Sequence, residues 1–243
     1  MDKMLGIALL LGTMGLSAAA PTDGAVAFRV QARVELDAQG VPRLVHADQA
    51  LPAPVRDAIE KRVLQWRFEP ARVNGEPRSG ATTVFLNTCA MPAENGALRL
   101  AMEYHGHGPG YTGGGSAPMP PRYPVDAVRV GKQGAFRVTM EIGVDGHARI
   151  QDIETLKGTA WPFQKRLKEW ANSLRYVPEE VDGRPVATRI ALSVAFTIGD
   201  GAPRQRTAPE NAAACSAAMG AGDGEEPLQP VVLDSPFKLK EAG

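Results

Sequence analysis

The side chains able to do chemistry in this sequence are few and scattered. Its histidines are His46, His105, His107 and His147, and its cysteines are Cys89 and Cys215. His105-Gly106-His107 offers two imidazoles separated by one glycine, far short of the four ligands of a closed tetrahedral site, so no metal is expected. Neither a Walker-type phosphate loop nor a Gly-x-Ser-x-Gly elbow occurs. Asp57 with Glu60, and Lys165 with Glu169, read as solvated helix faces. Trp66, Phe68, Trp170 and Tyr176 could stack a ligand, but their spacing assigns most of them to a core. No catalytic residue, cofactor or metal is therefore expected, and the chain reads as a binding protein rather than an enzyme.

Charge and composition narrow the partners. With 27 basic and 27 acidic side chains and a pI near 6.9, the chain lacks the basic footprint that a nucleic-acid partner requires. Residues 1–19 have the form of a cleavable signal peptide. Lys3 precedes an uncharged run over residues 4–16, and Ser17 and Ala19 suit a peptidase that cuts before Ala20. The rival is an uncleaved inner-membrane helix, which residues 4–20 reach only at the lower limit of about 17 residues. Export to the periplasm makes a disulfide between Cys89 and Cys215 the expectation.

The elements that must position any binding surface come from an internal repeat. Phe28-Arg29-Val30 returns as Phe136-Arg137-Val138, Trp66-Arg67-Phe68-Glu69-Pro70 as Leu174-Arg175-Tyr176-Val177-Pro178, and Val73-Asn74-Gly75-Glu76-Pro77 as Val181-Asp182-Gly183-Arg184-Pro185. The offset is 108 throughout (136 − 28), apart from a turn in which Asp37-Ala38-Gln39-Gly40 is answered by the tighter Asp145-Gly146. Each copy opens on a period-two strand and a hairpin. An amphipathic helix follows, carrying Val55, Ile59, Val63 and Trp66 in the first copy and Phe163, Leu167, Ala171 and Leu174 in the second. Pro70 and Pro178 stop the chain after the helix, and a last strand closes the unit, clear over residues 189–198 and shorter, ending near Asn87, in the first copy. The expected fold is α+β: two tandem β-β-α-β units, each a three-stranded antiparallel sheet with a helix on one face.

These motifs carry a resemblance. Tyr123-Pro124, Gly134, Asp145-Gly146, Arg175-Tyr176-Val177-Pro178 and Val181-Asp182-Gly183-Arg184-Pro185 resemble the C-terminal domain of TonB-type energy transducers, and Trp66, Phe68, Pro70, Gly75 and Pro77 are similar to the same pattern. The resemblance implies a periplasmic domain that grips an extended segment of an outer-membrane transporter by strand addition. The chain departs from a transducer in two ways: its apolar segment has no histidine, and no spacer long enough to cross a periplasm follows it.

The resulting organisation is a signal peptide (1–19), a first TonB C-terminal-like domain (27–88), a Gly/Pro-rich linker (89–117), a second such domain (118–199) and a flexible tail (200–243). Within the linker, Leu98, Leu100, Met102 and Tyr104 alternate as an extra strand would, whereas the stretch from His105 onward reads as flexible. The tail has enough apolar residues over 228–239 to dock. The expected partner is a protein of the cell envelope, and the expected binding edge is the last strand of the second copy. Arg189, Ala191, Ser193, Ala195 and Thr197 lie on its outer face. Two alternatives for that edge are cover by the first copy or by the tail near residues 231–233. In a structural reading the edges pair between copies or in a homodimer.

Overall fold

The computed structural model of the chain describes residues 24–93, 97–113, 117–198, 215 and 230–242. The signal segment and the tail over residues 200–214 and 216–229 lie outside them. The first half contains β1 (Val26–Leu36), β2 (Pro42–Ala47), α1 (Ala53–Val63), β3 (Arg67–Glu69), β4 (Ala71–Val73), β5 (Glu76–Arg78) and β6 (Gly80–Pro92), followed by β7 (Leu98–Gly108) and β8 (Gly110–Tyr111). The second half contains α2 (Val125–Arg129), β9 (Gly134–Ile142), β10 (Ala148–Gly158), α3 (Gln164–Ser173), β11 (Tyr176–Val177), β12 (Glu179–Val181), β13 (Arg184–Val186) and β14 (Thr188–Phe196). The C-terminal segment adds β15 (Val231–Val232) and β16 (Lys238–Glu241). The fold is sheet-rich α+β.

Antiparallel strands β2-β1-β6 form the heart of one sheet and β10-β9-β14 that of the other. α1 enters behind proline and buries Val55, Ile59 and Val63 against the first sheet, in a core with Trp66 and Phe68. α3 buries Leu167, Trp170 and Ala171 in a second core with Phe136, Phe163 and Phe196. The turn glycine after each opening strand is dictated by a close approach. Gly40 has φ +75° and its carbonyl accepts from Phe68 N at 2.9 Å, while Gly146 has φ +74° and accepts from Tyr176 N at 2.9 Å. A Cβ at either position would stand 1.8 Å from Phe68 O or 2.2 Å from Tyr176 O. No side chain fits, and the positive φ independently favours glycine.

Three expectations are corrected. Between helix and last strand each half inserts three short strands, with the β4–β5 and β12–β13 hairpins turning at Asn74-Gly75 and Asp182-Gly183, all four residues at positive φ. The last strand of the first half does not end near Asn87. It runs 13 residues to Pro92 against 9 in β14. Both faces of β6 are buried over most of its length, so its sequence shows no alternation by which to gauge its extent. The stretch from His105 onward is not a flexible connection at its start: His105, Gly106, His107 and Gly108 belong to β7, paired with β6 from Thr83↔Gly108 to Pro92↔Leu98. There glycine serves approach rather than freedom, since a Cβ on Gly110 would lie 2.6 Å from Thr83 Oγ1.

The two halves meet. β12 adds to the start of β6 through Glu180↔Ala81 and Val181↔Gly80, and β8 pairs with β11. Arg33 donates to Pro178 O at 2.8 Å and to Glu180 Oε1 at 2.9 Å. At the junction the fully buried Glu179 carboxylate accepts from Thr82 Oγ1 at 2.6 Å, Thr188 Oγ1 at 2.9 Å and Ser235 Oγ at 2.7 Å. Three hydroxyl donors offset the cost of taking that charge out of water. The C-terminal segment docks on both halves. β15 pairs with β14, β16 pairs with β3, Phe237 enters the first core, and Cys215 is disulfide-bonded to Cys89.

Candidate functional site

The binding edge expected from sequence is the side of β14 turned away from β9. Leu233 N donates to Arg189 O at 2.9 Å, and Arg189 N donates to Asp234 Oδ1 at 2.6 Å. Both main-chain groups of Arg189 therefore face outward. Because these groups switch sides at every residue of a strand, those of Ala191, Ser193 and Ala195 face outward too. Arg189 and Ala195 side chains are exposed, Ser193 is half-buried and Thr197 is exposed beyond the strand end, but Ala191 is buried. Val194 and Phe196, on the opposite face, hold the strand on the second core.

The C-terminal segment covers one end of this edge. β15 pairs with Ile190 through Val232 and with Ala191 through Val231. Asp234 then clamps Arg189 twice, accepting from its main-chain N and, at 2.7 Å, from Nε. This hydrogen bond and the carboxylate charge raise the Arg189 pKa above the ordinary arginine value. Of the alternatives for the edge, the tail at residues 231–233 is thus present, at one end. Asp234 was not singled out from sequence, and the only local signal for it is a short apolar run, Val231-Val232-Leu233, ending in an acid before Ser235-Pro236. The corresponding edge of β6, in the first half, is paired with β7 from Thr83 to Pro92.

The other residues singled out are structural. Trp66, Phe68 and Tyr176 are buried, Pro70 and Pro178 separate short strands, and Pro77 and Pro185 lie in β5 and β13. Gly75 and Gly183 complete turns at positive φ. Tyr123 packs on Phe163 and Phe196 and donates to Lys132 O at 2.6 Å, Pro124 precedes α2, and Arg175 donates to Asn172 O and Leu174 O at 2.8 Å. His107 is hydrogen-bonded to Tyr104 and, through Nε2 at 2.9 Å, to Phe237 O. Among the described residues no group of three or more His, Cys, Asp or Glu side chains is arranged to hold a metal ion.

A small antiparallel sheet backed by one helix, with main-chain donors and acceptors aimed outward from its last strand, has the form of a domain that recruits extended segments. Residues 119–198 match the family described as Gram-negative bacterial TonB protein C-terminal, so this part of the chain is a TonB C-terminal-like domain, which points to an envelope protein that interacts with partners. No curated protein matches the chain. No helix among the described residues is long and apolar enough to cross a membrane.

Proposed function

We propose that the chain is a periplasmic adaptor, exported by a cleavable signal peptide, with two tandem TonB-like units. The second unit engages an extended segment of an envelope partner by β-strand addition along β14, a TonB-dependent outer-membrane transporter being the class that the resemblance implies. The role is binding, not catalysis. The observation that carries this reading is the outward orientation of the Ser193 and Ala195 main chain, past the two residues that β15 pairs. Duplication is supported by element order: β4, β5 and the starts of β1 and β6 each recur 108 residues later in β12, β13, β9 and β14 (for β4, 179 − 71).

A second reading is a structural envelope protein whose sheet edges are used within the chain or in a homodimer. It is favoured by β7 on β6, β12 on β6 and β15 on β14. Capture from the native envelope fraction separates the two. The parent and Ser193→Ala should retain a partner, whereas a folded Ser193→Pro chain, lacking one outward donor, should lose it. Equal capture by folded Ser193→Pro rules out strand addition at this edge. A partner-free chain whose mass rises with concentration supports the homodimer.

A further inference from the structure

The edge of β14 already holds a strand, and the chemistry of that strand is informative. Val232 packs against the second core, and two residues on the Asp234 carboxylate spans the main-chain N and the Nε of Arg189. Between them Leu233 supplies the main-chain donor to Arg189 O. An extended antiparallel segment is thus read at three points: an apolar branched side chain turned to the sheet, a main-chain N–H donated to the strand at the next residue, and an acid after it.

The same segment is lightly held. Only two residue pairs join β15 to β14, Val231 and Leu233 are exposed at 58% and 49%, and the Arg189–Asp234 pair lies at the surface, where ion pairs contribute little. Its C-terminal neighbours are held firmly, with Phe237 buried in the first core and β16 paired to β3. Residues 231–234 can therefore leave the edge while Phe237 keeps them close by, at the high effective concentration of a tethered ligand.

We propose that residues 231–234 are a resident pseudo-ligand of the β14 edge. They compete with a partner segment of the same chemistry, antiparallel and carrying a branched apolar residue followed two positions later by Asp or Glu. The proposal rests on the strand-addition reading above and deepens it by naming the partner chemistry and the competitor.

The test uses the full chain and, as probe, a fluorescent peptide of residues 230–235, Pro-Val-Val-Leu-Asp-Ser. The double variant Leu233→Pro/Asp234→Ala weakens the resident strand without touching β14 and should bind the probe about tenfold tighter than the parent, because the tethered competitor has been removed. Asp234→Ala alone, which removes the surface pair with Arg189 Nε and the bond from Arg189 N but leaves β15 in place, should show a gain of about threefold and covers the case in which the double variant misfolds. The probe carrying Asp234→Asn should bind several-fold more weakly. Equal affinity of parent and variants, no binding to any of them, or indifference to the Asn probe overturns the proposal. Loss of envelope capture by Ser193→Pro alongside such a result would leave strand addition standing and the pseudo-ligand alone refuted.

Discussion

Replacing Phe237 by alanine measures how far the C-terminal segment belongs to the first core. The ring is 1% exposed and shares that core with Trp66, Phe68 and Ile59. It lies so near the sheet that a Cβ on Gly80 would approach its Cζ to 2.7 Å. Phe237→Ala empties that volume while leaving the carbonyl that accepts from His107 Nε2. Buried Phe→Ala changes cost about 3–5 kcal/mol, a large part of the roughly 5–15 kcal/mol that holds a domain. With a urea slope of about 2–3 kcal/mol/M, the midpoint should fall by about 1–2.5 M. The melting temperature should fall by about 6–20 °C, at about 2–4 °C per kcal/mol for a chain of this size. Urea titration followed by tryptophan fluorescence reads this directly, since Trp66 sits in the same core. Val231→Ala, at an exposed side chain, is the control and should change stability by less than about 0.5 kcal/mol. A loss below about 1 kcal/mol for Phe237→Ala would refute the placement of the segment in the core.

Two further outcomes are expected. Reducing Cys89–Cys215, which are 126 residues apart, should remove about 4–5 kcal/mol by the loop-entropy relation and lower the melting temperature. An unchanged melt in reductant, with two free thiols titrated, would contradict it. Burial, with the nearby Glu179 charge, pushes the Tyr104 phenol up to about 12, and burial raises Tyr176 further. A folded-state value raised above the unfolded one makes the neutral phenol's contribution fully present below about pH 10 and lost as pH climbs through 12. For the partly exposed Tyr104 that loss is about 1–2 kcal/mol. Urea midpoints should thus drop between pH 10 and 12, less so in Tyr104→Phe, and a flat parent profile would be evidence against the raised value.

What was legible in the sequence is what short-range physics encodes. The period-two pattern of Phe136, Val138, Met140 and Ile142, the 3.6-residue face of Val55, Ile59 and Val63, and the Asn74-Gly75 and Asp182-Gly183 turns each depend on neighbours a few residues away. The opening strands, the helices and the hairpin turns follow from them, and the resemblance carried by the second half agrees with the family match over residues 119–198. The even cysteine pair, read on the expectation of export, likewise forecast the bridge that joins Cys89 and Cys215. The full extent of β6 was hidden because a strand buried on both faces loses its alternation, and the continuation of β7 past Tyr104 because its glycines look like linker while their backbone pairs as well as any other. Which strand fills which edge was a tertiary matter. β7 on β6, β12 on β6 and β15 on β14 are chosen by main-chain hydrogen bonds that every residue except proline can make. Asp234 reaches Arg189 from 45 residues away. The side chains of such a segment do not name its neighbour, so only the folded chain, by setting distance and orientation, decides which edges are closed and which remain for a partner.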